Sequence, residues 1–315
     1  MPTQSTHTGD TNTISSVRGP DLITLIANPE NPVLSDEVVS NVCKLFRSGD
    51  AIWLGENTAC DISIGDPAAF QSDELEKLIR LELKNLPIDI VVHQSQTRRK
   101  KALIADMDST MIEQECIDEL ADMAGTLDQV AEITKRAMNG EIEFESSLRQ
   151  RMALLQDLDI AIIDRVMTER ITYTPGGSVL ISTMKDNNAW CALVSGGFTA
   201  FTSKVASHLG FDEHHANVLL ENNGRLAGRV AEPILGRQAK VDRLNEIAAT
   251  HKLNKDDFMA VGDGANDLGM LNAAGTGVAL HAKPTVAEQA DIRIDHSDLT
   301  ALLYIQGYKF SEFSR

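Results

Sequence analysis

The chain has 315 residues, enough for two or three compact units, and its 43% hydrophobic content is that of a globular protein. Its formal charge of −17 excludes a general nucleic-acid binder, which needs a basic face for phosphates. No stretch approaches the ~20 apolar residues of a membrane helix, and Cys43, Cys60, Cys116 and Cys191 have neither CxxC nor metal-ligand spacing.

Reduced thiols in a cytoplasmic protein are the simplest account of these cysteines. Residues 1–20 are polar, rich in Thr and Ser, and lack an apolar signal core, so they read as a disordered, unsecreted tail. Residues 22–92 then carry the pattern strand, helix, strand, strand, helix, strand. The strands are expected over 22–27, 51–54, 62–64 and 88–92. Ser35 caps the first helix, with Val38, Val42, Leu45 and Phe46 on one face; Ser72-Asp73-Glu74-Leu75-Glu76 opens the second. This order resembles a ferredoxin-like split β-α-β and the small amino-acid-binding ACT domains. A packing or dimerisation role is expected of it rather than sensing. Residues 97–101 follow as a basic linker, expected to be a solvated hinge.

Ala102-Leu103-Ile104-Ala105 reads as a buried strand that stops at Asp106-Met107-Asp108-Ser109-Thr110. Helical patterns then run over 113–123, 127–138 and 144–155, up to the breaker Pro175-Gly176-Gly177. An all-helical block inserted after the first strand of an α/β unit reads as a cap over the strand's carboxyl end. The α/β alternation resumes with a helix over 178–185, a strand over 189–194 and a tight turn at Ser195-Gly196-Gly197-Phe198. A hairpin of 215–220 with 225–230 is expected around Asn222-Asn223-Gly224. A helix over 238–249 and a strand over 258–261 lead to Gly262-Asp263-Gly264-Ala265-Asn266-Asp267. Further strands are expected over 277–280 and 291–294. The fold class is therefore α/β, a Rossmann-like parallel sheet with a helical cap, plus a small amino-terminal α+β unit.

Parallel strands gather their carboxyl ends, so Asp106 and Asp108 are expected to meet Asp263 and Asp267. Clustered carboxylates repel unless a hard cation joins them, and an all-oxygen set favours Mg²⁺. Ser195 beside two glycines offers a phosphate cradle. Lys240, four residues before Leu244, falls on the inward face of its helix and can supply positive charge. Arg151 shares a stripe with Phe144, Leu148 and Leu155, where a buried guanidinium wants an anion. The pair His214-His215 has no third ligand nearby and reads as structural.

These four pieces stand in the order of the haloacid dehalogenase-like phosphatase superfamily, which the chain resembles over residues 101–297. The wording of Asp106-Met107-Asp108-Ser109-Thr110, Glu115, the 144–151 segment and Val194-Ser195-Gly196-Gly197-Phe198 is similar to the phosphoserine phosphatases. With the composition and element order above, the resemblance divides the chain into a tail over 1–20, an ACT-like unit over 21–95, a core over 96–111 and 176–315, and a cap over 112–175. It implies Asp106 as the nucleophile that becomes an aspartyl-phosphate, and Asp108 as acid and then base. Mg²⁺ would bind Asp106, the Asp108 carbonyl and Asp263. Ser195, Gly196 and Lys240 would hold the transferring oxygens, with Asn266 and Asp267 in support. Glu115 would take the ammonium and Arg151 the carboxylate of O-phosphoserine, while Met138 and Phe144 exclude water. The implied activity is the last step of serine biosynthesis, in an enzyme that can pair as a homodimer through its amino-terminal unit, with no nucleic-acid or membrane partner. Two alternatives stay open: transfer of the phosphoryl group to another hydroxyl such as homoserine, and a non-enzymatic amino-acid-binding regulator.

Overall fold

The computed structural model describes residues 20–314 except 47, 49–50, 66–71 and 139–140. The expected tail lies outside the described residues apart from Pro20.

The first unit runs β1 (Leu22–Ala27), α1 (Asp36–Leu45), β2 (Ile52–Gly55), β3 (Ala59–Ser63), α2 (Ser72–Leu83) and β4 (Ile88–His93). Its strands form one sheet in the order β2-β3-β1-β4, every neighbouring pair antiparallel. The Ser35 hydroxyl accepts the Val38 N–H at the start of α1. The buried face of α1 carries Val39 and Val42, while Leu45 points largely outward. The strand expected over 62–64 begins at Ala59, because the polar pair Cys60–Asp61 is buried in the sheet.

All six residues of β1 are buried, and the reason is packing on both sides of the sheet. Ile23, Leu25, Ile62 and Ile88 meet Val39, Val42, Leu75 and Ile79 of the two helices. Ile26, Leu54, Ala59 and Val91 face the other way, into the core of the second unit. Each of the Ile, Leu and Val side chains contributes about 1.5–3 kcal/mol relative to exposure. Asp89 adds polar ties: its buried carboxylate accepts the backbone N–H groups of Asp295, His296 and Ser297.

Residues 97–101 are therefore not a solvated hinge. Arg98 pairs with Asp61 at 2.7 Å, Arg99 with Glu312 at 2.9 Å and Lys101 with Asp257 at 2.9 Å. Lys100 is buried, and its Nζ donates to the Asp256 carbonyl. The charges that look free in sequence find partners distant along the chain.

The second unit is built on a six-stranded sheet of β5 (Ala102–Ala105), β6 (Trp190–Phe198), β7 (Glu213–Asn217), β10 (Phe258–Gly262), β11 (Thr276–Leu280) and β12 (Ile292–Ile294). The order is β12-β11-β10-β5-β6-β7 and every pairing is parallel. The chain starts at β5 in the middle, builds outward on one side, then returns to β10 on the other. β5 is thus the switch point, where open α/β sheets bind ligands. The continuous apolar runs divide by alternation. Leu103, Leu193 and Val261 join one face, and Ile104, Ala192 and Ala260 the other. Leu180 and Met184 of α7 (Gly177–Asp186) and Phe201 of α8 (Thr199–Leu209) cover the first face. Leu244 and Ile247 of α9 (Arg237–His251) and Met270 of α10 (Leu268–Ala273) cover the second.

Between β5 and β6 lie α3 (Cys116–Ala124), α4 (Leu127–Met138), α5 (Phe144–Ala153) and α6 (Ile162–Glu169). The short α6 escapes the sequence reading because its apolar face is only Ile162, Ile163 and Val166. The strand expected over 215–220 divides: β7 ends at Asn217, and β8 (Leu219–Asn222) pairs with β9 (Arg225–Val230). Asn223 and Gly224 both have positive φ, as the tight turn between those strands requires. The tight turn expected at Ser195 is instead strand: β6 continues to Phe198, with a register irregularity after Val194.

Candidate active site

Four carboxyl-end segments converge at the switch point. Asp106 directly follows β5 and is 5% exposed. Its Oδ1 accepts the Met107 N–H at 2.8 Å and lies 2.7 Å from Lys240 Nζ. Its Oδ2 has a longer contact, 3.4 Å to Asn266 Nδ2. One oxygen is anchored by two short contacts and the other has a single long one. The inward position of Lys240 on α9 places its Nζ 2.5 Å from Asp267 Oδ1 as well. Burial alone would lower this ammonium, but the Asp106 and Asp267 carboxylates hold it above its ordinary value.

Asp108 is held by both oxygens. Oδ1 accepts the Cys116 N–H at 2.9 Å, and Oδ2 accepts the Ser195 hydroxyl at 3.1 Å. Burial, followed by the charges of Glu115 and Asp106, raises its carboxyl to about 7. A carboxyl that titrates near neutrality can both give and take a proton. Ser195 Oγ also accepts the Gly197 N–H at 2.8 Å. The helix expected after Ser195-Gly196-Gly197-Phe198 begins at Thr199.

Oxygen atoms of Asp106, Asp263 and Asp267 lie within 4.8 Å of one another. Thr110 Oγ1 donates to Asp263 at 3.3 Å. Burial and the Asp106 charge push Asp263 up to about 6. The Asp108 side chain stands outside this cluster, facing Ser195 and Cys116. Asp267 stands inside it, although the family resemblance implies only a supporting role for it.

A cavity of about 640 Å³ opens above Asp106 and Asp108 toward the helical insertion. Glu115 precedes α3 and does not cap it; its carboxylate accepts the Ser109 hydroxyl at 2.8 Å. Ser109 has φ +54°, which turns its side chain back to Glu115. Arg151, on α5, reaches the Ser147 carbonyl at 3.4 Å and Thr134 Oγ1 at 3.5 Å. Among the described residues no carboxylate lies within ion-pairing distance of it. The Phe144 ring leans over Gly196 and Gly236, bridging insertion and core. Met138 is 60% exposed at the cavity rim, with its sulfur 3.8 Å from Lys283 Nζ. Asn217 holds the Gly196 and Leu235 carbonyls, fixing the β6 end.

Sequence reasoning passes over Asp118, Thr134, Ser147, Arg237 and Lys283, all of which line the cavity. Spacing holds a signal for two: Asp118 is three residues after Glu115, and Ser147 four before Arg151, so each shares a helix face with an expected site residue.

A parallel sheet with a carboxylate cluster and a buried lysine at its switch point, under a helical insertion, is the architecture of one hydrolase class. Residues 103–272 match the haloacid dehalogenase-like hydrolase family, and the chain belongs to it. A probable phosphoserine phosphatase of Schizosaccharomyces pombe is 39% identical over 273 residues, 86% of this chain and 91% of that protein. The phosphoserine phosphatase of Lactococcus lactis is 45% identical over 204 residues, 65% of this chain and 94% of that one. The unliganded crystal structure of a probable phosphoserine phosphatase from Vibrio cholerae superposes with a TM-score of 0.74 at 30% identity. It covers 93% of this chain and 88% of its own.

Proposed function

We propose that this chain hydrolyses O-phosphoserine to serine and phosphate through an aspartyl-phosphate on Asp106, the closing step of serine synthesis. The observation that carries this reading is the asymmetry of Asp106 at the cavity wall, with Oδ1 fixed by Lys240 and the Met107 amide and Oδ2 left with one long contact to Asn266. Oδ2 attacks phosphorus and the ester oxygen departs, taking the Asp108 proton to leave as serine. Asp108, now a base, takes a proton from water, whose oxygen attacks the aspartyl-phosphate and restores Asp106. Ser195, the Gly196 amide and Lys240 hold the transferring oxygens, and Asn266 and Asp267 position them. Such catalysis is mostly positioning and charge stabilisation.

The donor set fits a hard divalent cation. Asp106 and Asp263, with the Asp108 carbonyl, offer oxygen only, and the raised Asp263 marks a site short of positive charge. Mg²⁺ bound there supplies charge that offsets repulsion between the carboxylate nucleophile and the phosphate dianion.

Specificity comes from the insertion, read here as a cap over 112–175: Glu115 for the ammonium, Arg151 for the carboxylate, Met138 and Phe144 against water. Residues 21–95 form an ACT-like unit packed on the core of 96–111 and 176–315. The strand order of that unit supports this assignment. The edge strand β2, with Ile52 57% exposed, supports homodimer formation there. A cytoplasmic setting fits the buried reduced thiols of Cys60, Cys116 and Cys191. Among the described residues no helix is long and apolar enough to cross a membrane.

The test is phosphate release from phosphoserine, phosphothreonine and p-nitrophenyl phosphate with and without Mg²⁺, for the parent and Asp106→Asn. Phosphoserine turnover that needs Mg²⁺ and vanishes in Asp106→Asn is expected; Asp106→Asn turnover at the parent rate ends the proposal. Adding homoserine to the assay separates hydrolysis from phosphoryl transfer.

A further inference from the structure

Two buried side-chain atoms of the helical insertion have no hydrogen-bond partner, Asp118 Oδ1 and Ser147 Oγ. Both residues line the cavity above Asp106. Ser147 is fully buried. A buried polar atom without a partner is costly, and native structures keep few. Two in one cavity mark a place shaped for a ligand.

The two atoms differ in kind: Ser147 stands with Arg151 on one helix, and the Asp118 carboxylate stands between Glu115 and Arg151, close enough for its charge to act on both. Ser147 lies one turn before Arg151 on α5, and its hydroxyl can donate. Arg151 keeps free donors, because its own contacts are long and none is a carboxylate. Asp118 lies in the first turn of α3, three residues after Glu115, and its ionised carboxylate only accepts. The cavity thus presents a donor pair on α5 and an acceptor pair at the start of α3. One carboxylate and one ammonium borne on the same carbon would engage both pairs, which is the head of an α-amino acid.

We propose that Ser147 and Asp118 are specificity-determining residues: the Ser147 hydroxyl donates to the carboxylate held by Arg151, and Asp118 accepts from the ammonium beside Glu115. The proposal rests on the phosphoserine reading and adds two contacts to it. Arg151 and Glu115 then do not act alone, and each end of the amino acid is gripped from two directions.

The test compares kcat/KM on O-phosphoserine, O-phosphoethanolamine, which lacks the carboxylate, and 3-phosphooxypropionate, which lacks the ammonium. Ratios of substrates measured on one preparation do not depend on how much of a variant is folded. Where an analogue turns over too slowly, its Ki against phosphoserine takes the place of kcat/KM. Ser147→Ala should lower the preference for phosphoserine over phosphoethanolamine by about tenfold, through KM. Asp118→Asn should lower the preference over phosphooxypropionate by a similar factor and leave the other ratio in place. Unchanged ratios in both variants would overturn the proposal. A loss of carboxylate preference in Asp118→Asn would overturn its ammonium half, making Asp118 a residue that positions Arg151. If the parent shows no preference for phosphoserine over either analogue, the substrate reading falls and takes the proposal with it.

Discussion

Lys240 Nζ lies 2.7 Å from Asp106 Oδ1, with the lysine 2% and the aspartate 5% exposed. Its other partner, Asp267, is fully buried. One cation therefore serves two buried acids, and removing it leaves both uncompensated. Lys240→Ala should lose about 3–5 kcal/mol of stability, the scale of a broken buried pair. Urea unfolding measures this directly, and phosphate release should fall with it. A variant as stable as the parent would show that the pair adds nothing to the fold.

Gly197 allows the approach of two side chains. A Cβ there would stand 2.8 Å from Asp108 Oδ2 and 3.0 Å from Ser195 Oγ. Gly197→Ala should displace the Asp108 carboxyl and lower kcat by about 10²-fold, the size of a general acid–base contribution, with a smaller change in KM. Steady-state kinetics on phosphoserine decide it; a parent-like kcat would mean that Asp108 tolerates the shift.

Arg151 is the only assigned cation for the substrate carboxylate. Arg151→Ala should weaken phosphoserine binding by about 1.5–3 kcal/mol, the value of a charged hydrogen bond. Wild-type kcat/KM in this variant would refute the carboxylate assignment.

His93, at the end of β4, gives the fold a pH dependence. Its Nε2 meets Thr24 Oγ1 at 2.9 Å. Burial, then the Arg98 charge, lowers it from 6.5 to about 4. The unfolded chain keeps the ordinary value, so between about 6.5 and about 4 the unfolded state binds the extra proton. The stability tied to this group is complete above that range. It is lost as pH falls through the range, by about 3 kcal/mol in all. Urea midpoints at pH 7.5 and 5.0 should separate more for the parent than for His93→Gln; equal separation would count against this origin.

The sheet and the seat of the chemistry are legible in local residue pattern. Apolar runs ending in Asp106-Met107-Asp108 and Gly262-Asp263 mark parallel strands whose carboxyl ends must meet, because both faces of the sheet are buried. Spacing from Leu244 puts Lys240 inward, since helix periodicity encodes which side faces the core. What each inward group meets is set by the packing of distant segments. Asp267, expected among the gathered carboxylates, closes its loop on the Gly264 N–H and shares Lys240 with Asp106. Asp118 and Ser147 look like ordinary helix residues until two helices bring them over one cavity. The basic residues 98–101 find their partners at Asp61, Asp256, Asp257 and Glu312, distant along the chain. Local pattern fixes the direction of a side chain, whereas its partner depends on contacts between segments that periodicity does not encode.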